Sequence, residues 1–486
     1  MRTRAYVIGT AILAIVGSGT AQEFHPDIPK AWDDKAVADF EMPLAQRDRS
    51  PRYMSADEYY KLKVRPIYRS YPMYAPGQEP EGYVESLRQK EPEIIFDPSK
   101  LHTKEDWIAA GKLVFESETL FRPAPAAVPT VSPSLPISSD GVLPSFFGYR
   151  YIVRKKGILE VGITSCAGCH TRVMSDGSLF EGGQGVVAPP ASTAELSAIR
   201  ERTPEAFQRS VENAWAFFGA PWIMSKEEFQ KSLTKDEYIR EAAARRPGVE
   251  ARQGTSGSHP PHIPSLVGIQ DIRYLDATGL SLNRSIGDVM RYAIVNQGLD
   301  FLAHFGDFQP TAGSGAETRY SDEQLYALVL YLYSLKPPPN PNSVDDRARR
   351  GERIFQQQGC AGCHTPPLYT NNKLTPAQGF KVPDDLLKTG DILNVSVGTD
   401  PTLALQTRRG TGFYKIPSLR GVWYRNAFGH GGGAETLEEW FDPERLKDDY
   451  VPKGFHLGPG PIKGHEFGLK LAPDDKQALI AFLKTL

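Results

Sequence analysis

Cysteine is scarce in this chain, with four residues in 486, and no methionine follows Met290. With so few thiols, at most two structural disulfides are available. Neither sign of charge is in excess: 56 Lys and Arg face 58 Asp and Glu, for a formal net charge of -2. That balance gives no sign of nucleic-acid binding or of an anionic membrane surface as partner. Long apolar runs are missing beyond the first residues, so no later segment is long and apolar enough to span a bilayer. Glycine and proline are plentiful instead, with 44 and 40 residues, which points to long irregular loops between helices. At about 100–200 residues per domain, the length predicts two to four domains with ample chain for a core.

The few cysteines are not scattered. All four lie in two copies of CAGCH: Cys166, Cys169 and His170 in one, Cys360, Cys363 and His364 in the other. Two thiols three positions apart and an adjacent histidine suit covalent attachment of a c-type haem, the thiols adding to the porphyrin vinyl groups and the imidazole binding the iron. The competing readings are a thioredoxin-like redox pair, two halves of a zinc site, or two disulfides. A redox pair needs no following histidine, and zinc half-sites usually lie far closer in sequence. Two covalently bound haems, with iron ligated by His170 and His364, are therefore expected. Such attachment takes place after export, and the N-terminus reads as an export signal. Arg2 and Arg4 form a positive region, Ala5 to Gly19 a short apolar run, and Gly19-Thr20-Ala21 a cleavage site before Gln22. The run is shorter than a membrane span needs, which predicts a periplasmic, soluble mature protein with the signal cleaved near Ala21.

An internal repeat organises the rest. Ile263-Pro264-Ser265-Leu266-Val267-Gly268 returns as Ile416-Pro417-Ser418-Leu419-Arg420-Gly421, and DEQLYALVLYLYSL (322–335) aligns without gaps on PDDKQALIAFLKTL (473–486). Each copy runs from CAGCH through IPSLxG to a closing helix, whose apolar positions (Leu325, Leu328, Val329, Leu332; Ala478, Leu479, Phe482, Leu483) follow the rhythm of one buried face. Opening helices are predicted at 103–115 and 345–355. The predicted order is a signal peptide (1–21), an N-terminal extension (22–102), a first cytochrome c domain with insertions (103–335), a Pro-rich linker (336–344) and a second cytochrome c domain (345–486). The linker follows from consecutive prolines, which cannot continue a helix. The extension is rich in Tyr, Pro and charge without periodicity, and its aromatics favour packing over the domains rather than disorder.

FYKIPSLRGVWYRNAFGHGGGAETLEEWF (413–441) resembles the bacterial di-haem cytochrome c peroxidase and MauG superfamily, in which K-x-P-[ST]-L-R-N precedes an aromatic–His–Asp–Gly turn and T-L-E-E. The likeness extends from about Thr103 onward and is strongest in the second repeat. The family's His-Asp-Gly stands here as His430-Gly431-Gly432, and the haem motifs are more widely spaced. That spacing, with Gly464-His465-Glu466-Phe467-Gly468, resembles the di-haem rubber oxygenases. The resemblance implies a mainly α fold: two tandem class I cytochrome c-like domains with long irregular loops and an N-terminal extension.

The second domain has no methionine to cap its iron, unless Met42, Met54 or Met73 reaches in, and offers His430, His456, His465 and Tyr450. His465 is expected as the ligand because it precedes the closing helix by a short loop, and the rubber-oxygenase likeness points the same way. The corresponding position in the first domain is Ser314, no strong ligand, and no histidine lies between His170 and Ser258. His259 and His262 flank prolines and read as structural or propionate-binding. The first iron is thus expected to be five-coordinate, or weakly capped by water or His304, which is what peroxide or dioxygen needs. Laying the family's first domain along 285–304 brings its catalytic acid near Asp300, with His304 and Gln297 as the other candidates for proton transfer. Trp215 and Trp222 are read either as pocket lining or as core aromatics, the commoner role.

Three function classes follow: a peroxidase reducing hydrogen peroxide at the N-terminal haem with the C-terminal haem as electron-transfer or charge-storage centre, a dioxygenase acting on an apolar substrate, and a di-haem electron carrier. The first is preferred. The expected partners are hydrogen peroxide or dioxygen and a small periplasmic electron-donor protein, with no nucleic acid and no membrane after signal cleavage. Calcium is carried as a further candidate ligand.

Overall fold

The computed structural model describes residues 23–124, 138, 140–144, 149–185, 191–310 and 318–486, without the side chains of Leu299 and Asp300. The expected signal peptide, most of the Pro-rich insertion and Ser314 lie outside the described residues.

Each CAGCH motif sits beside one crossed pair of helices. In the first, Lys104–Glu116 packs against Asp322–Ser334; in the second, Asp346–Gln357 packs against Pro473–Lys484. The starts are set by local chemistry. Thr103 and Asp106 form a capping box, as do Ser321 and Gln324, Asp345 accepts from the Ala348 amide at 2.8 Å, and Pro473 occupies the first turn; each satisfies or removes an orphan amide donor. Apolar residues at helical spacing then bury one face of each helix, Trp107, Val114, Leu325 and Leu332 in one core and Ile354, Phe355, Leu479 and Phe482 in the other.

Both crossings turn on a glycine. A Cβ on Gly111 would lie 1.9 Å from the Ala327 carbonyl oxygen, and one on Gly351 would lie 1.9 Å from that of Ala478. The repeat therefore extends to the point of closest helix approach, where only a residue without a side chain fits.

The fold is more mixed than the mainly α expectation. Among the described residues, Ser70–Tyr71, Arg150–Lys155, Ile158–Gly162 and Phe121–Pro123 form one four-stranded sheet, and the other strands pair in twos. RYIVRK and ILEVG are β-branched and aromatic runs, and Gly157, at φ 82°, makes the turn between them.

The N-terminal extension is built into the molecule, as its aromatics implied. Trp32 is fully buried, stacks on Tyr59 at 4.8 Å and donates to the Met54 carbonyl at 2.9 Å. Asp322, at the start of the first closing helix, accepts from the Ala31 amide and from Tyr60. Further on, the Met42 amide donates to Leu280, the Leu282 amide to Phe40 and the Ala45 amide to Gly410, which lays residues 40–45 along two loops of the body. No described helix is long and apolar enough to cross a membrane.

Candidate functional site

Cys166–His170 is a one-turn helix capped by Ser165, whose hydroxyl accepts from the Gly168 amide at 3.0 Å. His170 Nδ1 lies 3.1 Å from the Pro264 carbonyl. A carbonyl only accepts, so Nδ1 carries the proton and Nε2 keeps its lone pair. In the second motif His364 Nδ1 lies 3.1 Å from the Pro417 carbonyl and 3.2 Å from that of Tyr369. Pro264 and Pro417 are the same position of the repeated IPSLxG motif. That repeat, visible in the sequence without a role, fixes the tautomer and the orientation of each motif histidine. Burial lowers the pKa of His170 to about 4 and also lowers that of His364, so both imidazoles are neutral, the form that binds a metal.

Each motif opens on its own cavity, of about 180 Å³ for the first and 230 Å³ for the second. A single water needs only about 10–15 Å³ on this scale, so both are far larger than packing defects. The wall of the first includes Val289, Tyr292, Ala293, Asn296 and Gln297, one face of the helix Ile286–Leu302. The helix continues through residue 300 with an irregularity at Gly298. Gln297 reaches the cavity. The side chain of Asp300 is outside the described residues. His304 stands in the strand Ala303–Phe305, paired with Arg52, and is exposed rather than part of the cavity wall; strand pairing with the N-terminal extension turns it to the surface. Trp215 packs edge-on against Phe229 and Phe308, and Trp222 stacks on Phe305. Both are core aromatics and line neither cavity.

Sequence reasoning missed the polar groups that do line the first cavity. Asp276 accepts from Tyr292 at 2.8 Å through one oxygen and from Arg409 at 2.8 Å through the other. Burial, with Asp276 adding to it, raises the Tyr292 pKa well above its ordinary value, and the phenol stays protonated. Tyr292 stands 16 residues after Asp276 but Arg409 stands 133 after it, and that distance hid the cluster.

In the second cavity His465 faces His364, with ring centroids 6.3 Å apart. Burial lowers the pKa of His465 to about 4, helped by His364, and its Nδ1 is buried without a hydrogen-bond partner. The rivals are engaged elsewhere: Tyr450 donates to Glu439 at 2.9 Å, and His456 Nδ1 lies 2.5 Å from the Gly458 carbonyl. His430 also lines this cavity but stacks on Tyr414 at 4.2 Å. Met42, Met54 and Met73 pack in hydrophobic clusters, and none of the described methionines lines either cavity.

His262, Ala277 and Lys415 border both cavities. His262 Nδ1 lies 2.9 Å from the Gly429 carbonyl, and burial lowers the Lys415 pKa to about 8. The donor set fits the expected haem: paired thiols, a neutral imidazole held by its second nitrogen, apolar walls, and cations (Arg252 and Arg409 in the first cavity, Arg425 in the second, Lys415 between them) for two propionate carboxylates. It does not fit a bare metal ion, since no three His, Cys, Asp or Glu side chains converge among the described residues.

No family model and no curated protein matches the chain. Among solved structures it is similar to Kuenenia stuttgartiensis hydrazine synthase pressurised with xenon, at 17% identity and a TM-score of 0.29 over 62% of this chain and 96% of that one. It is also similar to a MauG-like protein associated with microbial copper homeostasis, at 17% identity and a TM-score of 0.30 over 62% of this chain and 93% of that one. Similarity at that level carries no argument about what this chain does.

Proposed function

We propose that the protein is an exported di-haem oxidoreductase of the peroxidase type, in which hydrogen peroxide is reduced in the first cavity and electrons enter and are held in the second. One observation carries the reading: both cavities present two thiols and an oriented imidazole, and among the described residues a second imidazole ring faces it closely in the second cavity alone, His465 against His364, while the other histidine of the first cavity, His262, is held to Gly429 at the border of both. When bound, an iron porphyrin with one open coordination position supplies redox chemistry at peroxide, and one with two nitrogen ligands supplies electron transfer.

The chain's own residues do the rest. His170 is oriented by Pro264, and Val289 and Ala293 of the helix Ile286–Leu302 supply apolar wall to the cavity. Tyr292 stays protonated with its hydroxyl donating to Asp276, so its oxygen is left to accept from peroxide, and Gln297 offers a neutral amide donor at the cavity wall. Reducing one peroxide to two waters takes two electrons and two protons. The electrons come from a small periplasmic redox protein, and the protons reach the cavity through its polar wall.

The test is the spectrum of the purified holoprotein before and after peroxide, with peroxide consumption measured against a reduced donor protein. A high-spin signal that responds to peroxide, with turnover, is expected. Oxygen uptake with an apolar substrate and a stable dioxygen adduct would assign a dioxygenase instead. A fully low-spin protein inert to both would leave an electron carrier.

A further inference from the structure

Residues 40–45 of the N-terminal extension run between the loops at 276–282 and 407–411, which are tied to each other by Thr278 donating to the Arg409 carbonyl and Thr411 to the Thr278 carbonyl, both at 2.6 Å. This lattice drives one carboxylate into the interior. Glu41 bridges to Ser281 across the antiparallel contact, and both of its carboxyl oxygens are buried with no hydrogen-bond partner. Tyr53 Oη, Ser281 Oγ and Arg409 Nη1 are buried and unpartnered in the same way. Arg409 and Asp276 act on Glu41 through their charges, and Tyr53 and Ser281 stand beside it. Arg409 and Asp276 are also wall residues of the first cavity. A buried carboxyl thus lies directly behind the first cavity, joined to it through the Arg409–Asp276 ion pair and contributed by the N-terminal extension.

We propose that Glu41 takes up a proton from solvent when an electron supplied by the donor protein by way of the second cavity reaches the first, and releases it on reoxidation. The inference rests on the first cavity holding a haem. The charges explain why. Arg409 and Asp276 cancel, so an ionised Glu41 leaves the cluster with one uncompensated negative charge in a low-dielectric setting, and an electron arriving next door makes that charge costlier. Protonation removes it. The groups facing Glu41 are Arg409, which favours the ionised form, Tyr53 and Ser281, which act in the same direction, and Asp276, which opposes it; burial outweighs them and raises its pKa to about 7, where the proton can move in either direction near neutral pH.

The experiment is a titration of the midpoint potential of the first haem in the full-length holoprotein between about pH 5.5 and 8.5. The wild type is expected to lose potential as pH rises through neutrality. Glu41→Gln should flatten that dependence while keeping both haems, and Glu81→Gln, an exposed acid of the same extension, should keep the wild-type dependence. A Glu41→Gln protein with both haems and an unchanged pH dependence would overturn the inference. Absence of haem from the first cavity would instead overturn the functional reading beneath it. Should Glu41→Gln fail to fold, infrared difference spectra of the wild type on reduction decide the matter: a new protonated-carboxyl band is expected, and its absence counts against Glu41.

Discussion

His364 and His465 face each other across the second cavity with ring centroids 6.3 Å apart and planes inclined at 57°. Two imidazoles that share one metal ion, each nitrogen about 2 Å from it, hold their ring centres about 6 Å apart, a spacing that this pair matches. The C-terminal haem is accordingly expected to be low-spin with nitrogen on both faces. His465→Ala should convert one of two haems to high spin in the electron paramagnetic resonance and visible spectra. Tyr450→Phe and His456→Ala should leave both spectra unchanged, since neither residue lines the cavity. A sulfur-to-iron charge-transfer band in the wild type would contradict the assignment.

The loop that presents His465 is held by a single buried guanidinium. Arg445 donates to the carbonyls of Trp440 at 2.7 Å, Gly464 at 2.9 Å and His465 at 3.0 Å, and to that of Ile462. His465 itself has a φ of 49°, which a residue with a side chain adopts only when its surroundings impose it. Arg445→Lys cannot reproduce that fan of bonds. It should weaken the low-spin signal as His465→Ala does and cost on the order of 3 kcal/mol in chemical denaturation, because several buried carbonyls lose their donor.

Much of this architecture was legible in the sequence, and the reason is repetition. Two CAGCH motifs, two IPSLxG motifs and two closing helices fix the local elements, because caps, apolar spacing and a motif histidine act over a few residues. His465 was singled out from its place before the closing helix, and its ring faces His364. The contacts that complete the sites were not readable. Arg409 reaches Asp276 and Tyr292 from a distant segment, Glu41 arrives from an extension without periodicity, and Arg445 looks like any surface arginine until its burial is known. His304 failed as a candidate for the same reason: its environment is set by strand pairing with Arg52.

The helix crossings give a stability prediction. A methyl group on Gly351 or Gly111 would collide with a backbone oxygen that no rotamer change can move. Gly351→Ala and Gly111→Ala should each destabilise the protein by roughly 1–3 kcal/mol, the usual cost of overpacking, read as a lower midpoint in thermal unfolding.

The first cavity separates wall residues from bystanders. Asp276→Asn and Tyr292→Phe should slow the peroxide reaction several-fold at unchanged haem content, since they alter the pair that holds a proton at the cavity wall. His304→Ala, Trp215→Phe and Trp222→Phe should leave that rate nearly unchanged, because none of the three lines the cavity. Stopped-flow spectra after mixing with peroxide make the comparison.

Glu41 also leaves a mark on folding. Burial raises its folded pKa from 4.5 to about 7. Between those values the unfolded chain has released the proton and the folded protein retains it, so the folded state binds more protons and stability falls as pH rises. Below about pH 4.5 both states are protonated and the difference vanishes; above about pH 7 the loss is complete, on the order of 3 kcal/mol for a shift of this size. Buried Glu118 and Glu241, each also raised to about 7, act with the same sign. The contribution of Glu41 is therefore the difference between wild type and Glu41→Gln, measured by urea unfolding at several pH values. The variant should lose less stability than the wild type from pH 4.5 to 7 and run parallel to it above. Parallel curves throughout would mean that Glu41 ionises in the fold as it does in water, with a charge balance around Arg409 and Asp276 different from the one described.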